Sequence, residues 1–124
     1  MVDEWSRLCR AADLRPNGKY VDVEFLSGRR HRVSVTDESD LLRLTGIVVR
    51  RAVVAAYPDL PIVAWTRNRA TALVGFRIDE SGRLIGEASV PKVGLTAAEL
   101  QALVRTVAAE CDRFEYLLTG RDVE

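Results

Sequence analysis

Three side chains in this chain of 124 residues carry the imidazole or thiol groups that a metal centre or a nucleophilic site would use: Cys9, His31 and Cys111. A structural zinc ion needs three or four ligands drawn from His, Cys and carboxylates. These three residues fall on three separate segments, so no metal site is expected. A hydrolase would need His31 as its base, yet Arg29, Arg30 and Arg32 surround it in sequence, and their charge opposes protonation of the ring during catalysis. Cys9 and Cys111 lie in apolar helical patterns with no His partner, the setting of inert, reduced thiols. The eight glycines are scattered singly, which leaves no phosphate-cradling loop and no nucleotide fingerprint. Asp79 and Glu80 sit in a tight turn, where carboxylates serve turn geometry more than acid–base work. The sequence therefore points away from an enzyme, with no catalytic residue, cofactor or metal assigned.

Arginine is the remaining chemistry. Of the 18 basic residues only Lys19 and Lys92 are lysine, and 18 acidic residues cancel the whole. A net charge of zero gives no long-range field towards nucleic acid or anionic lipid, while guanidinium forks suit carboxylates. Alternation along the strands described below puts Arg30, Arg32, Arg43 and Arg77 on one open sheet face. That face is interleaved with Asp22, Glu24 and Glu87, and such a mixed-sign surface suits a protein partner better than a phosphate backbone. These four arginines are the candidate partner contacts. A solvated face held by its own salt bridges is the plainer alternative.

The elements that position these residues follow from periodicity. Asp3 to Leu14 places Trp5, Leu8, Cys9 and Ala12 on one helical face, and Pro16-Asn17-Gly18 stops that helix. Tyr20 to Leu26 and Arg29 to Val35 alternate as two strands of a hairpin, with Asp22 and Glu24 beside Arg30 and Arg32. Leu41 to Arg50 reads as a third strand because Ile47, Val48 and Val49 are β-branched and Gly46 weakens a helix, although Leu41, Leu44, Val48 and Ala52 also fit a helical stripe. Arg51 to Tyr57 is either connection or the start of a helix. Asp59 caps a second helix with Pro61 in its first turn, Ile62 and Trp65, with Leu60 nearby, on its buried side and Arg67, Asn68 and Arg69 at its end, where Asn68 can take the left-handed position. Thr71 to Ile78 and Arg83 to Val90 form a hairpin around Asp79-Glu80-Ser81-Gly82, with Gly75 and Gly86 marking close backbone approach or a bulge. Thr96 and Glu99 make a capping box for a long helix whose apolar stripe runs Leu100, Leu103, Val104, Val107, Cys111, Phe114, Leu118 and stops at Gly120. Ala98, Ala102 and Ala109 add a small-residue strip that would admit a second copy, or that simply reflects helix-forming composition.

The run Gly82-Arg83-Leu84-Ile85-Gly86-Glu87-Ala88-Ser89-Val90-Pro91, followed by Gly94-Leu95-Thr96-Ala97-Ala98-Glu99-Leu100, resembles the bacterial YbjN family. That family shares its fold with type III secretion chaperones. The acidic-Gly turn, the Val90-Pro91 strand end, the Gly-Leu-Thr lead-in, the Asp112, Phe114 and Glu115 ending of the helix and the Trp65-Thr66-Arg67-Asn68 junction are the similar features. The match covers Ala64 to Gly120 well and the first half only in element order. The resemblance implies an α+β domain, probable homodimers and polypeptide binding without catalysis.

Together these readings define a single α+β domain over residues 1–124, with an antiparallel five-stranded sheet in the order α-β-β-β-α-β-β-α. The long C-terminal helix packs on one face. The expected function is a cytoplasmic, non-enzymatic, chaperone-like or adaptor-like domain, homodimeric, that binds a polypeptide partner through its sheet face or edge. No segment is apolar enough to span a membrane. Two other classes stay open: a nucleic-acid-binding accessory domain using the same arginines, and an enzyme with an unrecognised carboxylate site.

Overall fold

In the computed structural model, which describes residues 4–120, the chain runs α1 (Glu4–Leu8), β1 (Leu14–Asn17), β2 (Tyr20–Glu24), β3 (Arg30–Asp37), β4 (Leu41–Val49), α2 (Arg51–Ala55), α3 (Leu60–Asn68), β5 (Gly75–Ile78), β6 (Leu84–Pro91) and α4 (Ala97–Thr119). The strands form one antiparallel, six-stranded sheet in the order β1-β2-β3-β4-β6-β5. One face is covered by α4, which crosses β2, β3, β4 and β6, with α3 packed against β5. The architecture is the expected α+β sandwich of a sheet and a long helix.

Both ends of α4 form by local chemistry. Thr96 accepts from the Glu99 N–H at 3.2 Å and the Glu99 carboxylate accepts from the Thr96 N–H at 3.0 Å, completing the capping box. Gly120 closes the helix with φ of 71°, a left-handed position that a glycine takes without strain. The 23 residues between span roughly 35 Å. The stripe residues Leu100, Val104, Val107, Cys111 and Phe114 are buried against Val21, Val23, Val33, Val35, Leu42 and Leu44 of the sheet.

Several elements differ from the local reading. The extra strand is β1: the first helix stops at Leu8, and Leu14 to Asn17 pair with Tyr20 to Val23 instead of ending a helix. Tertiary pairing wins there because Leu14 buries its side chain in the core while Pro16 sits at a sheet edge, where a missing N–H costs nothing. The passage from Leu41 is, as expected, a strand, the long β4, with a bulge between Ile47 and Val49 that buries both Val48 and Val49. Arg51 to Ala55 is the short helix α2. In α3 the core-facing residues are Leu60 and Ala64, not Ile62 and Trp65, which are 67% and 61% exposed. Asp59 precedes α3 without a side-chain capping bond, and Asn68 is not left-handed; no described non-glycine residue has positive φ. Gly75 has open space around it, whereas Gly86 is closely approached, by the Cys111 and Phe76 side chains and not by another backbone. No described helix is long and apolar enough to cross a membrane.

Candidate functional site

The strand alternation that buries one sheet face under α4 leaves the other face bare. Arg30 and Arg32 project from it on β3, Arg43 on β4 and Arg77 on β5, at the alternating positions expected for them. Three of these four are already engaged. Arg32 forks onto Asp22 across the β2–β3 ladder at 2.8 and 3.3 Å. Arg43 holds Glu38 at 2.9 and 3.3 Å, and Arg77 holds Glu87 at 2.9 and 3.5 Å. The bond from Arg43 keeps the Glu38 carboxyl below its usual range, and the bonds that Arg32 and Arg77 donate to Asp22 and Glu87 push their guanidinium groups above theirs. Arg30 has no ion pair among the described residues; its register neighbour is Glu24.

The face is not flat. A groove of about 740 Å³ runs over β2, β3 and β4, with Arg29, Arg30, Arg32, Arg50 and Arg83 along its walls. Tyr20 and Ile47 give it apolar surface and Asp22 is its one lining carboxylate. Arg43 and Arg77 lie outside it. The groove arises where two strands part: the β3–β4 ladder runs from Asp37↔Leu42 to Val33↔Gly46 and ends there, while β3 continues beside β2 and β4 continues, bulged, beside β6. Beneath the bulged stretch Ile85 is buried on the open side of the sheet, outside the main core, opposite Ile47 and Arg77.

His31 closes the split from the helix side. Its Nε2 lies 2.9 Å from the Ile47 carbonyl oxygen; a carbonyl only accepts, so Nε2 carries the proton in this bond. The ring is buried beside Asp112 and Glu115 of α4, and the three residues offer donor atoms within 4.8 Å of one another. A single Asp-x-x-Glu step puts both carboxylates on one side of the helix. Arg29 ion-pairs with Asp112, so the positive charge that a metal ion would bring is already supplied by a side chain. The cluster ties β3 to α4, and its His31 lines the groove. Sequence reasoning treated His31 as an isolated strand residue and did not group it with Asp112 and Glu115, because the 80 positions between His31 and Asp112 carry no local signal. Arg50 and Arg83 were missed for another reason: each stands just outside a strand end, where alternation is weakest.

Each edge of the sheet is occupied over part of its length. On β1, Leu14 exchanges backbone bonds with Ala11, its N–H donating at 3.2 Å and its carbonyl accepting at 3.5 Å, and Pro16 has no N–H to offer. On β5, the Asn68 side chain imitates a neighbouring strand: its amide donates to the Phe76 carbonyl at 2.9 Å and its oxygen accepts from the Phe76 N–H at 2.6 Å. Thr71 donates to the Val74 carbonyl at 2.7 Å.

The sequence matches the model of the YbjN family, described as "Putative bacterial sensory transduction regulator", over residues 25–118. No curated protein sequence matches it. Among solved structures the fold is similar to YbjN from E. coli, with 12% identity, 86% of this chain and 81% of that one covered and a TM-score of 0.63. It is also similar to a chain of the heterodimeric ExoU–SpcU complex from the type III secretion system of Pseudomonas aeruginosa, at 14% identity, 98% and 100% coverage and a TM-score of 0.59. A chain of the HopA1–SchA chaperone–effector complex matches at 16% identity, 91% and 88% coverage and a TM-score of 0.56.

Proposed function

The chain belongs to the YbjN family, and from that premise we propose that it is a non-catalytic, chaperone-like or adaptor-like domain that holds a polypeptide partner on the open face of its sheet. The fold is shared with chains from complexes in which one protein binds another, among them a chaperone–effector pair. The observation that carries the choice of surface is the contrast between edges and face. Strand addition needs a row of unpaired backbone groups, and here Ala11, Pro16, Asn68 and Thr71 block or occupy part of each row. The face offers an open groove of about 740 Å³ walled by guanidinium groups.

A photo-crosslinking residue placed at Thr45 on the face, and separately at Asn17 and Ile78 on the two edges, tests this in the native cell. Under this reading Thr45 captures a defined polypeptide that resists nuclease and high salt, and the edge positions capture little. Crosslinks confined to the edges overturn the choice of surface. Capture of nucleic acid from Thr45, lost in salt, replaces the reading with nucleic-acid binding.

We also propose that the chain pairs with a second copy through α3. Ile62 and Trp65 stand one turn apart on its outer side, with Leu73 close by in sequence, and all three are more than half exposed. Burial of such side chains is worth about 1.5–3 kcal/mol each. The alanine strip on α4 offers far less apolar surface. Sedimentation of the wild type and of an Ile62→Glu/Trp65→Glu variant reads the outcome: dimer and monomer support the pairing, and a monomeric wild type removes it.

A further inference from the structure

We propose that the groove accepts an extended acidic segment, whose carboxylates are met by Arg30 and Arg50. The inference rests on the sheet-face reading above and adds the chemistry of the occupant. Of the five guanidinium groups along the walls, three have internal partners: Arg29 with Asp112, Arg32 with Asp22 and Arg83 with Asp79. Asp79 and Asp112 are buried behind the wall, with side chains 6% and 8% exposed, whereas Arg83 and Arg29 keep 41% and 38% of theirs in solvent. Two of the three partner carboxylates, Asp79 and Asp112, are thus held inside, and Asp22 is the one that lines the groove beside the five guanidinium groups.

Arg30 and Arg50 have no ion pair among the described residues. Arg30 opens β3 and Arg50 directly follows β4; because these strands are antiparallel, both arginines come to the same end of the groove. A chain with zero net charge therefore concentrates two uncompensated forks at one place. A guanidinium fork is satisfied best by a carboxylate in bidentate contact. Ile47 and Tyr20, each 43% exposed in the same groove, suit the alternate side chains of an extended strand, which point the same way at every second residue. Nucleic acid fits less well. One face of the Tyr20 ring is already covered by the Arg32 guanidinium at 4.9 Å, so the groove offers a single aromatic face rather than a row of stacking platforms, and two free cations make a short track for a phosphate backbone.

Fluorescence anisotropy with two labelled peptides, one alternating glutamate with leucine and the other alternating glutamine with leucine, tests the proposal. The glutamate peptide binds the wild type more tightly by about tenfold or more, and the difference disappears in an Arg30→Ala/Arg50→Ala variant with an unchanged melting temperature. Arg113→Ala, an exposed change on α4 away from the groove, leaves binding as it was. Equal binding of the two peptides, or a double variant that still prefers the acidic one, overturns the inference. If Ile47→Asp abolishes that equal binding, the sheet-face reading survives without the acidic occupant. Failure of both peptides to bind overturns the inference, and crosslinking at Thr45 then decides the sheet-face reading separately. A single-stranded oligothymidylate that binds more tightly than the acidic peptide overturns it in favour of nucleic acid.

Discussion

Gly46 of β4 stands directly opposite Gly86 of β6, and the Cys111 thiol of α4 lies over the pair. A Cβ at Gly46 would come within 2.9 Å of the Cys111 Sγ, and one at Gly86 within 2.7 Å of the same sulfur and 2.8 Å of the Phe76 ring. Two missing side chains thus make the notch that lets the helix settle on the centre of the sheet.

Gly46→Ala should destabilise the fold by about 1–3 kcal/mol, as overpacking does in a dense core. Adding Cys111→Ala should recover part of that cost, because the sulfur is the only neighbour closer than 3.4 Å. The same rescue should be smaller for Gly86→Ala, since Phe76 remains, fixed edge-on to Phe114 with centroids 4.8 Å apart. Urea denaturation of the single and double variants measures the coupling, and strictly additive costs would refute the notch.

Asn68→Ala should cost about 1–3 kcal/mol, because it removes both bonds to the Phe76 backbone at the β5 edge. Asn68→Asp keeps the acceptor for the Phe76 N–H but sets a carboxylate oxygen against the Phe76 carbonyl, so a loss at least as large as that of alanine is expected. Because the alanine variant uncovers part of a strand edge, it should also self-associate at high concentration. Light scattering and urea melts together report both effects.

Stability should fall in acid partly through Asp79. Burial alone would raise its pKa, but N–H bonds from Arg83 and Ser81 and the Arg83 fork outweigh it and bring the net shift below the usual 3.8. A depressed folded pKa means that the unfolded chain takes up the proton more readily. Its stabilisation is therefore fully present above about pH 4 and is lost as pH falls through the lower folded value. Asp79→Asn should lower the urea midpoint at pH 7 and narrow the gap between pH 7 and pH 3; an unchanged gap would exclude Asp79 as a contributor.

Neither cysteine should react in the native protein. Cys9 and Cys111 are free and fully buried, and burial pushes their thiols to about 11 and about 12. A chromogenic disulfide reagent at pH 8 should therefore titrate almost no thiol until denaturant is added, and then two. Rapid labelling of one native thiol would contradict the packing of α4.

The groove itself shows where local reading stops. Arg30 and Arg32 as face residues, and Asp22 beside Arg32 across the hairpin, were legible from alternation alone, yet the pairing of Arg43 with Glu38 and Arg77 with Glu87 depends on register and strand ends. Arg50 and Arg83 joined the groove only because β3 and β4 part beyond Val33 and Gly46. Ile62 and Trp65 misled for a related reason. Helical spacing identifies an apolar side, but which side meets the sheet is set by the seating of Leu60 and Ala64.

The amino-acid sequence alone determined those features whose cause lies within a few residues. They are the capping box of Thr96 and Glu99, the glycine stop at Gly120, the Asp79 to Gly82 turn, the alternating strands and the stripe that buries α4. Tertiary structure decided what depends on neighbours far along the chain: a sixth strand from Leu14 to Asn17, the glycine notch under Cys111, the His31 cluster with Asp112 and Glu115, and the two partly blocked edges. The physical reason is range. Capping bonds and side-chain periodicity act over about one turn or one strand, whereas strand pairing, burial of charge and the shape of a groove are settled only when distant segments compete for the same partners.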